Sequence, residues 1–146
     1  MQPHSTRGTT RVRARYAETD QMGVIHHANY YVWMEVARVD LCETLGFRYR
    51  DMEQQDGVLL AVTESRCRYI SAVHFDDEVV IATWVSRAGS RMVTFSYEMS
   101  VEGRHVATGE TSHIVLNRLL EPTRLPNRYR PVFGLPAAQG SDSPVA

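Results

Sequence analysis

The chain of 146 residues contains no lysine: all 16 of its basic residues are arginine. Any phosphate it holds must therefore be gripped by guanidinium groups or by backbone N–H. Cysteine is also scarce. Cys42 and Cys67 stand far apart, and no Cys-x-x-Cys occurs, which argues against a disulfide scaffold or a cysteine-rich zinc site. Each cysteine reads as a buried, reduced thiol. No apolar run approaches the ~20 residues of a membrane span, and residues 1–9 lack the apolar core of a secretory signal. The formal net charge is −1, so nothing draws the protein in bulk to nucleic acid or to an anionic membrane. There is no Gly-x-Ser-x-Gly, no P-loop and no Gly-x-Gly-x-x-Gly, which tells against an elbow-type serine hydrolase, an NTPase and a nicotinamide enzyme. The default these absences leave is a cytoplasmic enzyme with no metal and no resident cofactor.

With 43% apolar and 23% charged residues, the chain has material for one ordinary core. Three segments are expected: a frayed polar N-terminus over 1–9, a folded domain over 10–130, and a mobile Pro-, Gly- and Ser-bearing tail over 131–146. Residues 10–17 read as a first strand. Tyr30, Trp33, Met34, Ala37, Leu41 and Leu45 then recur at helical spacing. Asn29 is placed to cap that helix and Gly46 to stop it. Val32, Val36 and Val39 lie off the stripe, so the helix looks apolar nearly all round, the mark of a buried helix. Residues 48–56 read as a short helix or turn.

After Gly57 the apolar period changes to two. Four β-rich runs follow, at about 58–71, 78–88, 91–102 and 105–117. Asp76-Asp77, Gly89-Ser90 and Glu102-Gly103 punctuate them, the last two as tight hairpins. A strand, a long buried helix and an antiparallel meander make an α+β fold, with the sheet around the helix. One sheet of this size leaves edges uncovered, so a homodimer is expected.

The segment Tyr16-Ala-Glu-Thr-Asp20-Gln-Met-Gly23-Val-Ile-His26-His27-Ala-Asn29-Tyr30 carries the chemistry. It sets a carboxylate, Asp20, in a Gly-containing turn just before a helix. A helix start has free N–H groups and a partial positive charge, and it stabilises an oxygen that becomes an anion. A carboxylate beside such donors suits ester or thioester hydrolysis. The bland alternative for Asp20 is a turn aspartate bonded to its own backbone. His27 offers a hydrogen bond near Asp20 or its backbone N–H; His26-His27 as a metal pair lacks a spaced third ligand. Tyr16 is either a core aromatic or a hydroxyl partner for Asp20 or substrate. Glu64 shares a face with Arg66 and Arg68, as an ion pair or as a wall of an acyl pocket. Arg87 and Arg91 bracket the Ala88-Gly89-Ser90 turn, as solubilising charges or as a grip on a nucleotide phosphate. Tyr30, Tyr31 and Trp33 are candidates to shape an acyl pocket.

On these residues the chain resembles the 4-hydroxybenzoyl-CoA thioesterase family of the hot-dog superfamily, and within it the Tol-Pal-associated acyl-CoA thioesterase branch. The Tyr16–Tyr30 stretch carries the likeness, supported by Glu35-Val-Ala-Arg38, by Val62-Thr-Glu64-Ser-Arg66-Cys67-Arg68-Tyr69 and by Asp76-Asp77, over about residues 10–126. The resemblance implies a hot-dog fold, dimers and often tetramers, and active sites at the dimer interface. It implies Asp20 as the catalytic carboxylate, the His27 backbone N–H as the donor that polarises the thioester carbonyl, and Tyr16 and His27 as assistants. Gly23, Val24, Asn29, Tyr30, Glu64, Arg87 and Arg91 complete the expected substrate-binding set. Gln21 and Ala28 stand where some relatives have Pro. The implied substrate is an acyl-CoA, with coenzyme A entering only as part of it; acyl carrier protein is the alternative thiol carrier. Two other readings stay open: a non-catalytic acyl-CoA-binding hot-dog protein, and a hot-dog dehydratase or hydratase using His27 with Asp20.

Overall fold

The computed structural model describes residues 6–136. Five strands and two helices run in the order β1 (Arg7–Arg13), α1 (Asn29–Thr44), α2 (Tyr49–Asp56), β2 (Leu59–Tyr69), β3 (Glu78–Ala88), β4 (Met92–Val101) and β5 (Arg104–Leu116). They form one antiparallel sheet of order β1-β3-β4-β5-β2. The α+β expectation holds.

The long helix is built as its spacing dictates. Tyr30, Trp33, Met34, Ala37, Leu41 and Cys42 are buried against the sheet. α1 ends in a Schellman turn: the Gly46 N–H reaches the Glu43 carbonyl and the Phe47 N–H reaches that of Cys42. Asn29 does not cap the start; its side chain is turned back to the preceding loop. α1 is also not buried all round. Val32 is 50% exposed, and Val36 and Val39 are exposed beside it. The sheet embraces one side of the helix and leaves this stripe open. Closeness on the packed side depends on Gly109, where a Cβ would stand 2.2 Å from Met34 Cε and 2.9 Å from the Arg66 carbonyl.

The strand pairing departs from a simple meander. β3, β4 and β5 are consecutive hairpin neighbours, but β2 lies beside β5, at the far edge from β1. Residues 70–77 carry the chain across, tied by the Ile70 and Ser71 N–H groups to the Val106 carbonyl and anchored by buried Val73. The Glu102-Gly103 hairpin is tight, with both residues at positive φ (49° and 78°). The other hairpin turns on Ser90-Arg91, one residue beyond Gly89-Ser90, because the Gly89 N–H bonds the Met92 carbonyl.

Both ends differ from expectation. The first strand begins at Arg7 and ends at Arg13, so Arg7–Thr9 pair with β3 and do not fray. Tyr16 falls outside it, in a 3₁₀ turn over Tyr16–Glu18. Pro131–Phe133 form another 3₁₀ turn, with Pro131 at its start and Gly134 (φ 83°) at its end. Phe133 is buried, its ring 5.7 Å from that of Phe47 and 6.4 Å from that of Phe95. Pro131 and Gly134, two of the residues that suggested a mobile tail, instead shape a packed turn. The remainder of that segment, 137–146, lies outside the described residues. No helix among the described residues is long and apolar enough to cross a membrane.

Candidate active site

The loop between β1 and α1 folds back on itself as a short hairpin. Thr19 bridges Ile25, and the Asp20 N–H bonds the Val24 carbonyl at 2.8 Å. Gly23 takes φ 81° at the return, a conformation that an L side chain resists. Asp20 Oδ1 accepts the N–H of Met22 at 2.8 Å and of Val24 at 3.4 Å. The turn reading of Asp20 is therefore correct as geometry, but it uses one oxygen only. Oδ2 has no hydrogen-bond partner among the described residues.

The loop then leads into α1. The His26 carbonyl accepts the Asn29 N–H at 3.0 Å and the Asn29 side-chain amide at 3.3 Å. In the same trans peptide the His27 N–H must point the opposite way, off the start of the helix. It has no hydrogen-bond partner among the described residues. The N-cap residue, Ala28, has no capping side chain. The N–H groups of Asn29, Tyr30 and Tyr31 are taken by the carbonyls of His26, His27 and Ala28, so among the described residues the His27 N–H is the donor this end of the helix leaves open. The His27 ring stacks on His26 at 4.3 Å, and His26 Nδ1 accepts the Ala28 N–H.

Asp20 and His27 open onto one cavity of about 320 Å³, together with Val24, Ile25, Tyr30 and Tyr69. Its walls are mixed: apolar side chains and two tyrosine rings packed edge to face at 4.9 Å. Burial pushes the Tyr30 hydroxyl above its usual range. Burial likewise pushes Tyr69 up, with Cys67 and Tyr31 beside it adding to the effect. Tyr69 therefore stays protonated and donates its O–H to the His27 carbonyl at 3.0 Å.

The structure thus brings Asp20, His27, Val24 and Tyr30 to one cavity, with Gly23 shaping its loop and Asn29 bracing it. Tyr16 is not among them. Its ring is 76% exposed and packs on Phe75 at 5.5 Å. Glu64 lies exposed next to an irregularity in β2. Arg87 and Arg91 are exposed near the β3–β4 hairpin. Met92 pairs with Ile114 while Tyr69 pairs with Ala107, so that hairpin stands roughly 23 Å along the sheet from the cavity wall. Within one chain these three residues do not reach Asp20. Tyr31 lines a separate cavity of about 710 Å³ with Cys67, Trp84 and Glu110.

Trp33 is buried, and its indole N–H bonds Glu18 Oε2 at 3.0 Å. Glu18 was not singled out from the sequence. It is only 4% exposed, and its carboxylate also accepts the Arg15 N–H at 2.8 Å. Burial raises its pKa, but hydrogen bonds from the Arg15 backbone and side chain and from Trp33 outweigh that and hold the carboxyl below the usual range. Its place three residues after Arg15, the capping-box interval, was the one local signal; nothing local announced Trp33.

Comparison with known proteins fits this geometry. Residues 22–108 match the profile of the thioesterase superfamily. The chain is 38% identical over 108 residues to the Bacillus subtilis protein named "Putative acyl-CoA thioesterase YneP", covering 73% of this chain and 78% of that one. Among solved structures, the DHNA-CoA thioesterase of Staphylococcus aureus superposes with a TM-score of 0.80 at 40% identity, covering 86% of this chain and 84% of that one. A hypothetical protein, TT1821, of Thermus thermophilus superposes with a TM-score of 0.83 at 35% identity, covering 86% and 96%. The five-stranded sheet packed on α1 is the hot-dog fold that the resemblance implied. With more than half of its length matched by the family profile and a curated relative above 30% identity, the chain belongs to the thioesterase superfamily.

Proposed function

We propose that the protein hydrolyses acyl-CoA thioesters, releasing a free acid and CoA-SH. The observation that carries this is the pairing in one cavity of a carboxylate with one uncommitted oxygen and, at a helix start, a backbone N–H, that of His27, with no partner among the described residues. In this reading the thioester carbonyl points at the His27 N–H. As the carbonyl becomes tetrahedral, its oxygen gains negative charge beside the positive end of α1. One such donor is worth about 10²–10³ in rate where it has been tested. Asp20 Oδ2 supplies the other half in one of two ways. It activates a water that displaces the CoA thiolate, or it attacks the acyl carbon itself so that the C–S bond breaks, CoA leaves as thiolate and water then opens the mixed anhydride to the free acid and the restored carboxylate. Oδ1, held by two backbone N–H groups, keeps the carboxylate in place. The family and the relatives' names favour hydrolysis over acyl-CoA binding without turnover or hydration of the acyl chain.

The site reads as one completed by a second copy of the chain. β2 has a neighbour on one side only and is exposed over much of its length. Glu64, Arg87 and Arg91, out of reach of Asp20 within one chain, are suited to act across that interface, the arginines on the phosphates of CoA. The open Val32-Val36-Val39 stripe suits association of dimers into tetramers. Two unpaired thiols, Cys42 and Cys67, favour a reducing, cytoplasmic setting.

Thiol release from a panel of short, long and aromatic acyl-CoAs, and from acyl carrier protein thioesters, tests the reading. Turnover by the wild type and its loss in Asp20→Asn are the expected outcome. No thiol release from any of them by a folded protein rejects it, as does a product in which the acyl chain is hydrated and the thioester intact.

A further inference from the structure

Asp20 sits on the outgoing arm of a small hairpin and His27 follows its return arm, so their relative placement depends on what holds the arms together. Glu18 closes the base. Its carbonyl accepts the His26 N–H at 2.8 Å and the Asn29 side-chain amide at 3.0 Å. Its carboxylate is pinned to the first turns of α1 through the Trp33 indole at 3.0 Å and to the end of the previous segment through the Arg15 N–H at 2.8 Å. A buried carboxylate is costly unless its lone pairs are met, and an apolar residue would fill the same space without that cost. The charge is retained where it joins the loop to the helix.

Tyr69, on β2, acts from the other side. Its hydroxyl donates to the His27 carbonyl at 3.0 Å, and its ring lies against Tyr30 and His27. The chain is thus held just before the peptide that carries the His27 N–H, at the His26 N–H, and just after it, at the His27 carbonyl. The same peptide's own carbonyl is taken by Asn29.

We propose that Glu18 and Tyr69 are positioning residues that clamp the His26–His27 backbone from either side and so set the His27 N–H in register with Asp20. The proposal rests on the thioester-hydrolysis reading. Neither residue takes part in bond making. Their effect is on kcat, because a donor misplaced by a fraction of an ångström stabilises the oxyanion less while substrate still binds.

Tyr69→Phe deletes only a hydroxyl and keeps the ring. It is expected to lower kcat by roughly three- to tenfold, the net worth of one hydrogen bond, with KM held within about twofold. Glu18→Gln sets an amide NH₂ against the Trp33 or Arg15 donor, and kcat is expected to fall on the order of 10²-fold. Where that buried change prevents folding, Tyr69→Phe alone decides. Amide hydrogen exchange reads the clamp without turnover: the His26 N–H exchanges faster in Tyr69→Phe while the melting temperature stays that of the wild type. Wild-type kcat together with wild-type exchange in Tyr69→Phe overturns the proposal. So does a raised KM at unchanged kcat, which makes Tyr69 a binding wall and nothing more. Asp20→Asn run in parallel separates the two readings. Full turnover in Asp20→Asn removes the role given to Asp20. An inactive Asp20→Asn beside an unaffected Tyr69→Phe removes only the clamp.

Discussion

Two polar clusters are set against the same helix, one at its start and one under its middle. At the start, Asp20 and His27 leave one carboxylate oxygen and one backbone N–H unbonded among the described residues, beside a cavity. Under the middle, Arg38 donates to the Tyr97 hydroxyl at 3.0 Å. Tyr97 and Thr111 share a hydrogen bond of 2.7 Å, and Thr111 meets His113 Nε2 at 2.9 Å. His113 Nδ1 faces the Leu60 carbonyl at 3.4 Å, which only a protonated Nδ1 satisfies. The hydrogens then run one way, from Arg38 through Tyr97 and Thr111 to a neutral His113. Burial, and next the charge of Arg38, push the pKa of His113 down to about 4. The second cluster contains more residue types associated with catalysis than the first, yet both of its buried hydroxyls and both nitrogens of its buried histidine have partners. A polar cluster whose demands are met internally holds a fold together; one with groups left unbonded beside a cavity has something to offer a substrate.

Four measurements break or sharpen that contrast. The largest effect is expected at the open cluster: Asp20→Asn keeps the oxygen that braces its turn, so kcat falls by about 10²–10⁴-fold while the melting temperature stays near that of the wild type. Steady-state kinetics and a thermal melt together check it. Second is the pH dependence of the closed cluster. Above the unfolded pKa of about 6.5 His113 is neutral in both states. Below it the unfolded chain takes a proton that the folded chain refuses until about pH 4. Stability is therefore full above pH 6.5 and lost as pH falls towards 4, by up to about 3 kcal/mol. Urea unfolding across that window shows the slope, and His113→Gln is expected to flatten it. Third, Thr111→Val leaves the Tyr97 O–H without an acceptor and His113 Nε2 without a donor, with an expected loss of about 2 kcal/mol in unfolding free energy and an unchanged kcat. A large loss of kcat there would make the inner cluster part of the catalytic machinery. The smallest effect is at Tyr16, exposed and away from the cavity: Tyr16→Phe should change kcat by no more than about twofold, as surface substitutions do. A tenfold loss would restore Tyr16 to the site.

Much of the fold was legible because local periodicity reports burial. β3 occupies Glu78–Ala88, the same span as its alternating run, and β2, β4 and β5 lie within two residues of theirs. The stripe from Tyr30 to Leu41 faces the sheet as spaced. The failures were non-local. Placing β2 beside β5 and not β3 depends on the crossover at 70–77 and on bonds to Val106. The Val32-Val36-Val39 stripe looked buried because hydropathy records what a face prefers, not what covers it. At the site, the Asp20 turn and the helix start lie within ten residues of each other, so a motif could show them. Tyr69 lies 42 positions from His27 and Trp33 lies 15 from Glu18, and no pattern of neighbours records such contacts.

By itself the sequence determined the secondary elements, the α+β class and the short stretch in which a carboxylate precedes a helix start, because each depends on residues close along the chain. Only the tertiary structure decided which groups there remain unbonded, which tyrosine joins them, and that Tyr16, Glu64, Arg87 and Arg91 stand outside the cavity of a single chain. Those outcomes depend on how strands far apart in sequence are ordered and where their edges stop, and backbone hydrogen bonding settles both only when the whole sheet is assembled.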